Sequence, residues 1–255
     1  MSFLGKIGNK LARYFSQSRE QDHRVATSKP EQLVAALQPG DVLLVEGSSR
    51  FSAAIKYLTQ STWSHAAIYI SAETNLDGLH FEGGQLLEAD VVEGVHIVPL
   101  STYWTMHTRI CRPVGLSPNE IEAVLLHAKS QIGHQYDLKN IVDLARYFFP
   151  TPPVPARWRR RLLSIGSGDP TKAICSSVIA QAFQSVRYPI LPEAVVAKST
   201  DSASADSYRE MLHIRHHSLF APRDFDISPY FRIVKPTIED GFDPHNLEWV
   251  DTANK

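Results

Sequence analysis

The sequence predicts an α+β domain. Three observations carry that reading: short apolar segments separated by turn residues between 41 and 113, a sharply punctuated helical pattern from Ser117, and a strongly apolar helix opening near Ala173 with Cys175 in its first turn. The chain has 255 residues, 43% of them hydrophobic, and a net charge of -1, which suits one domain with appendages. The near-neutral balance gives no case for nucleic-acid binding. No run approaches the roughly eighteen apolar residues of a membrane span, and the N-terminus lacks the apolar stretch of a secretory signal. The two cysteines, Cys111 and Cys175, form no disulfide framework and fit a reducing compartment.

Taken in order, residues 1–29 read as a basic amphipathic helix followed by a polar linker. Phe3, Leu4, Ile7, Leu11, Tyr14 and Phe15 recur at helical spacing, with Lys6, Lys10 and Arg13 on other faces. Such a helix either docks on a membrane surface or partner, or folds back onto the domain. A short helix over Glu31–Leu37 precedes the Pro39-Gly40 turn. Strands are predicted over 41–45, 65–70, 85–89, 95–100, 108–113 and 230–234, with a short helix over 51–58 and a turn-rich connection over 76–84. Ser117, Pro118 and Glu120 supply an N-cap, a first-turn proline and a capping-box glutamate for a helix that Gly133 stops. A further helix spans 138–149.

Residues 150–172 form a basic, lid-like insertion rich in proline and arginine, with Trp158, Leu162 and Leu163 among the charges. It leads into the Cys175 helix, which ends near Ser185. Residues 195–207 are small and polar and read as irregular, and 237–255 read as a polar tail. The main domain is thus expected over 30–236.

A thiol in the first turn of a helix sits among unpaired backbone N–H groups at the positive end of the dipole, which favours the thiolate. Cys175 is therefore the candidate nucleophile, although a buried cysteine is also an ordinary core residue. His65 opens a strand and could hold the thiol's proton. Glu88 lies on an otherwise apolar strand, where a carboxylate needs a partner such as a histidine. Asp90, on the same strand face, and Glu93, in the turn, are rivals for that orienting role. Cys111, between Ile110 and Arg112, reads as structural. His213, His216 and His217 would share one side of a helix, but no cysteine or carboxylate set accompanies them as a metal site.

Several strings together resemble the permuted NlpC-type papain-like cysteine hydrolases, in their YiiX/YebB-like branch, a relative of the lecithin:retinol acyltransferase group. They are Pro39-Gly40-Asp41-Val42-Leu43-Leu44, Trp63 through Tyr69, Leu87-Glu88-Ala89 with Gly94-Val95, Tyr136-Asp137, and Ile174 through Val178. The resemblance covers about 39–234, and its order puts the histidine strand early and the nucleophile helix late. It implies a permuted papain-like fold with an antiparallel, barrel-like sheet packed on the nucleophile helix. It also implies Cys175 as nucleophile, His65 as base and Glu88 as orienter, with Trp63, Ser64, Tyr69, Tyr136 and Ser176 around the substrate.

The function expected is thiol-dependent cleavage of an amide or ester through an acyl-enzyme, without metal or organic cofactor. The substrate is a peptide or amino-acid amide, or else an acyl lipid. The rival readings are a thiol acyltransferase or phospholipase-like enzyme at a membrane surface, and a non-catalytic binding or membrane-docking module. Residues 3–15 and 157–163 are the segments expected to meet a membrane. The location expected is cytoplasmic, with peripheral association at the inner membrane surface if those segments bind.

Overall fold

The structure, a computed structural model, describes residues 26–76, 78–90, 92–134, 174–198, 208–213 and 216–246. The amphipathic segment 3–15, Tyr136-Asp137, the helix expected over 138–149 and the insertion 150–172 lie outside them. In chain order the described elements are α1 (Pro30–Ala36), β1 (Val42–Val45), α2 (Arg50–Thr59), β2 (His65–Ser71), β3 (Asn75–Leu76), β4 (Leu79–His80), β5 (Gln85–Asp90) and β6 (Gly94–Pro99). A 3-10 turn, Leu100–Tyr103, leads to β7 (Thr108–Pro113) and α3 (Pro118–Ser130). Then come α4 (Ile174–Ser185), β8 (Glu193–Lys198), β9 (Tyr208–His213), α5 (Pro222–Asp226), β10 (Phe231–Val234) and α6 (Pro236–Glu239).

Six strands make one antiparallel sheet in the order β10-β7-β1-β2-β5-β6. The expected antiparallel sheet is present, but it is open and not closed into a barrel: β10 and β6 are its two edges, and among the described residues no ladder joins them. Each edge ends differently. The backbone after α3 pairs along β6, Gly133 N–H bonding the Val95 carbonyl at 2.9 Å and Val95 N–H bonding that of His134 at 3.1 Å. β10 runs for four residues before Pro236 starts α6, and proline cannot extend a ladder.

Side chains alternate between the two faces of the sheet. Val42, Leu44, Ala66, Ile68, Leu87 and Ala89 pack with Val178, Ile179, Ala182 and Phe183 of α4. Leu43, Val45, Ala67, Tyr69 and Leu86 pack with Leu33 and Leu37 and with Leu100 and Tyr103 of the 3-10 turn. Both faces are covered, so the central strands read as nearly continuous apolar runs. The α3 start is as expected: Ser117 Oγ accepts from the Glu120 N–H, and Glu120 accepts from the Ser117 N–H at 2.8 Å.

Three segments differ from expectation. Glu193–Lys198, which runs into the stretch read as irregular from 195, forms β8 and pairs antiparallel with β9, Val195 opposite Met211. The turn-rich connection contains the β3–β4 hairpin. The segment read as a polar tail also begins against the domain, where Gln32 donates to Asp240 Oδ2 at 2.9 Å.

Candidate active site

Cys175, His65 and Glu88 come together at one end of the sheet. The reason lies in the strand register. Tyr69 N–H bonds the Asp41 carbonyl on the β1 side, so the even-numbered residues of β2 direct their N–H groups towards β5. The β2–β5 ladder starts only at Ile68–Leu87, which leaves Ala66 N–H beyond it. The first turn of α4 fills that gap, and Ala66 N–H donates to Cys175 Sγ.

His65 stands between the thiol and the carboxylate. Its Nε2 lies 2.9 Å from Glu88 Oε2, and it also hydrogen-bonds Cys175. With Nε2–H given to Glu88, Nδ1 is the nitrogen left for the thiol. That is the tautomer a base needs here, held by the carboxylate. Cys175 is 5% exposed and Glu88 7%, so each feels the others' charges with little screening from water.

These charges decide the protonation states. Burial pushes the Cys175 thiol up, but the His65 imidazolium, the Ala66 N–H and the Ser176 hydroxyl outweigh it and hold the thiol below its ordinary value. Burial pulls His65 down, yet Cys175 and Glu88 raise it well above the usual histidine range. Burial raises Glu88 too, while His65, Tyr103 and His96 bring it below its ordinary value. The arrangement favours a thiolate–imidazolium pair backed by a carboxylate. Cys111 is the contrast: burial on the sheet pushes its thiol far up, as expected of a structural cysteine.

The rivals to Glu88 are occupied elsewhere. Asp90 Oδ1 accepts the N–H groups of Val92 at 2.7 Å and Glu93 at 2.5 Å, closing the β5–β6 turn. Glu93 is exposed and lies 3.5 Å from His96. His96 is directly opposite Glu88 in the ladder, its Nε2 3.5 Å from Oε1. Glu88, Asp90 and His96 offer ligand atoms within 4.8 Å of one another and could hold a metal ion. The three histidines read as sharing a helix do not: His213 ends β9, and His216 and His217 flank the start of a 3-10 turn with ring centroids 4.2 Å apart.

The residues expected around the substrate are placed differently from one another. Trp63 is 3% exposed, donates Nε1–H to Asp226 at 3.0 Å, and packs against His107 and the Arg109 guanidinium. Ser64 is 2% exposed and accepts the Gly47 N–H at 2.8 Å, fixing the loop after β1. Tyr69 is buried on the α1 face of the sheet. These three are parts of the packed interior. The alternation of β2 and its polar flank did not reveal this, because their partners come from distant segments. Ser176 is buried beside the thiol, its Oγ 3.9 Å from Sγ. Tyr136 lies outside the described residues.

One residue that sequence reasoning missed joins the site. Tyr103, from the 3-10 turn after β6, donates its hydroxyl to Glu88 Oε2, and its ring lies beside that of His65 at 6.0 Å between centroids. The sequence holds a faint signal, a tyrosine four residues past the Pro99 strand end. Nothing in its spacing points at Glu88.

Comparisons with known proteins bear on the same strands. No curated protein matches the chain. Among solved structures, that of "metalloprotein yiiX from Escherichia coli O157:H7" is similar at 17% identity, covering 78% of this chain and 97% of that one, with a TM-score of 0.44. A family model described as "Permuted papain-like amidase enzyme, YaeF/YiiX, C92 family" matches residues 36–149, a span that carries β1 to β7 with His65 and Glu88 and stops short of α4. Through these residues the chain is similar to the permuted papain-like YaeF/YiiX family.

Proposed function

We propose that the protein is a cysteine hydrolase that cleaves an amide, or an ester of similar shape, with Cys175 as nucleophile, His65 as base and acid, and Glu88 holding His65. The observation that carries this reading is His65 bridging Glu88 and Cys175 at the start of a buried helix. The thiolate forms a bond to the carbonyl carbon, whose π electrons move to oxygen. As the tetrahedral adduct collapses, the bond to the leaving group breaks and the imidazolium gives that group its proton. Water then attacks the thioester with His65 as base, and the acid and free thiol are released. Backbone N–H groups at the α4 start are the natural donors to the oxyanion.

The test is alkylation of the native protein with iodoacetamide, mapped by peptide mass. Cys175 is expected to react at pH values below the ordinary thiol range, while Cys111 stays unmodified until the protein unfolds. Equal rates for the two thiols would sink the reading. Incubation with peptide amides and phospholipids, followed by intact-mass detection of a Cys175 adduct, separates the substrate classes.

Docking of residues 3–15 and 157–163 on a membrane forms part of the same proposal, resting on their amphipathic and Arg/Trp/Leu composition. Full-length protein should co-sediment with anionic liposomes more strongly than protein lacking residues 1–20. Equal sedimentation rules out the N-terminal segment as an anchor. Among the described residues no helix is long and apolar enough to cross a membrane.

A further inference from the structure

We propose that Tyr103 is a positioning residue for this site: its buried hydroxyl fixes which oxygen of Glu88 faces His65. The proposal rests on the hydrolase reading above and deepens it. Glu88 has two oxygens with different neighbours. Oε2 receives both His65 Nε2–H and the Tyr103 hydroxyl, while Oε1 faces His96 Nε2 at 3.5 Å. A carboxylate is free to turn about its last bond. Two donors converging on one oxygen stop that turn, and only one of them, Tyr103, is outside the reacting pair.

Tyr103 is suited to that task. It is 7% exposed and packs with Leu86, Leu100 and Tyr69, so its ring has little room to move. It comes from the turn directly after β6, which pairs along β5 from Glu88–His96 to Gln85–Pro99. The hydroxyl therefore reaches Glu88 from the same hairpin that carries it.

Among the described residues, several charged groups lie around the carboxylate. His65 faces it from β2, Cys175 from α4 beyond His65, His96 from β6, and Asp90 from its own strand, with Glu93 reached through His96. Tyr103 is a phenol, protonated in the ordinary way near neutral pH, and so stands as a donor to the carboxylate. A donor to the charged form of Glu88 favours that form, and the charged form in turn supports the His65 imidazolium. Without it, Glu88 can swing Oε1 and Oε2 between His65 and His96.

Tyr103→Phe keeps the ring and deletes the donor. We expect it to slow Cys175 alkylation at neutral pH about tenfold, the size of one hydrogen bond to a charged group. The lower limb of the alkylation pH profile should move to higher pH. In a Glu88→Gln background the same substitution should add little, because the group it acts through is gone. A wild-type profile in Tyr103→Phe, or a fully additive loss in the double variant, overturns the proposal. Should Tyr103→Phe fail to fold, full-length protein labelled with 3-fluorotyrosine reads the same bond. The more acidic phenol is a stronger donor and should move the lower limb to lower pH; an unmoved limb overturns the role. A wild-type Cys175 that reacts no faster than an ordinary thiol overturns the hydrolase reading and this one together. An activated Cys175 that ignores both changes at Tyr103 overturns this one alone.

Discussion

Replacing His65 with alanine is expected to slow alkylation of Cys175 at pH 7 by about thirtyfold or more, because an ordinary thiol is only a few per cent thiolate there. In the native site the His65 charge and hydrogen bond are the largest influences opposing burial. Their removal leaves a thiol that is 5% exposed with burial against its ionisation, so its titration moves up past the ordinary value. The Ala66 N–H and Ser176 hydroxyl remain and soften the loss without replacing a full charge. The sign of the pH dependence follows. Cys175 is lowered, so the native alkylation rate rises through a pH below the ordinary thiol value. His65 is raised, so the imidazolium that protonates a leaving group persists above the ordinary histidine value and is lost only as pH rises further. Turnover should therefore be bell-shaped between these limits. In His65→Ala the lower limb should shift upward, and stopped-flow alkylation from acid to alkaline pH checks it. An unchanged profile would mean that His65 does not form the ion pair.

The parts of this site that the sequence announced were those with local causes. Alternation and turn residues located β1, β2, β5, β6 and β7, and Ser117-Pro118-Asn119-Glu120 located the α3 start, because each is decided within a few residues. The order of His65, Glu88 and Cys175 was legible because the resemblance preserves order. What stayed hidden depends on distant neighbours. Trp63 looked like a cleft residue, yet its indole meets Asp226, a hundred and sixty-three positions away in sequence. Tyr103 looked like turn punctuation until the β5–β6 ladder brought its turn back over Glu88. β8 looked irregular because its partner, β9, starts ten residues beyond its own Lys198. Whether the sheet closes is also non-local, being settled by what meets β6 and β10.

The largest loss of stability is expected from Arg112→Met, about 3–5 kcal/mol, for which the cause is a stranded charge rather than a lost attraction. Asp41 is 1% exposed immediately before β1. Arg112 holds it with a fork, Nε to Oδ1 at 2.8 Å and Nη2 to Oδ2 at 2.7 Å, and Nη2 also donates to the Ala36 carbonyl at 2.5 Å. The Gln38 N–H adds a bond at 2.8 Å. Burial nevertheless wins, and the Asp41 carboxyl is raised above its ordinary value despite these donors. A raised carboxyl favours the folded state most below its unfolded pKa of 3.8 and loses that contribution as pH rises through the folded value. The same contact raises Arg112, and removing the arginine leaves a buried carboxylate with the Gln38 N–H and the Arg232 charge against its burial. Asp41→Asn in the Arg112→Met background should recover most of the loss, since the side-chain amide can still accept from the Gln38 N–H and carries no charge. Urea melts of the native protein and the two variants measure this, and a double variant as unstable as Arg112→Met would show that packing, not charge, is at stake. The pair sits at the Val42–Ile68 end of the β1–β2 ladder, whereas His65 lies opposite Val45 at the other. Folded Arg112→Met should thus keep the Cys175 alkylation profile of the native protein, which separates the charge that holds the sheet together from the charges that ready the thiol.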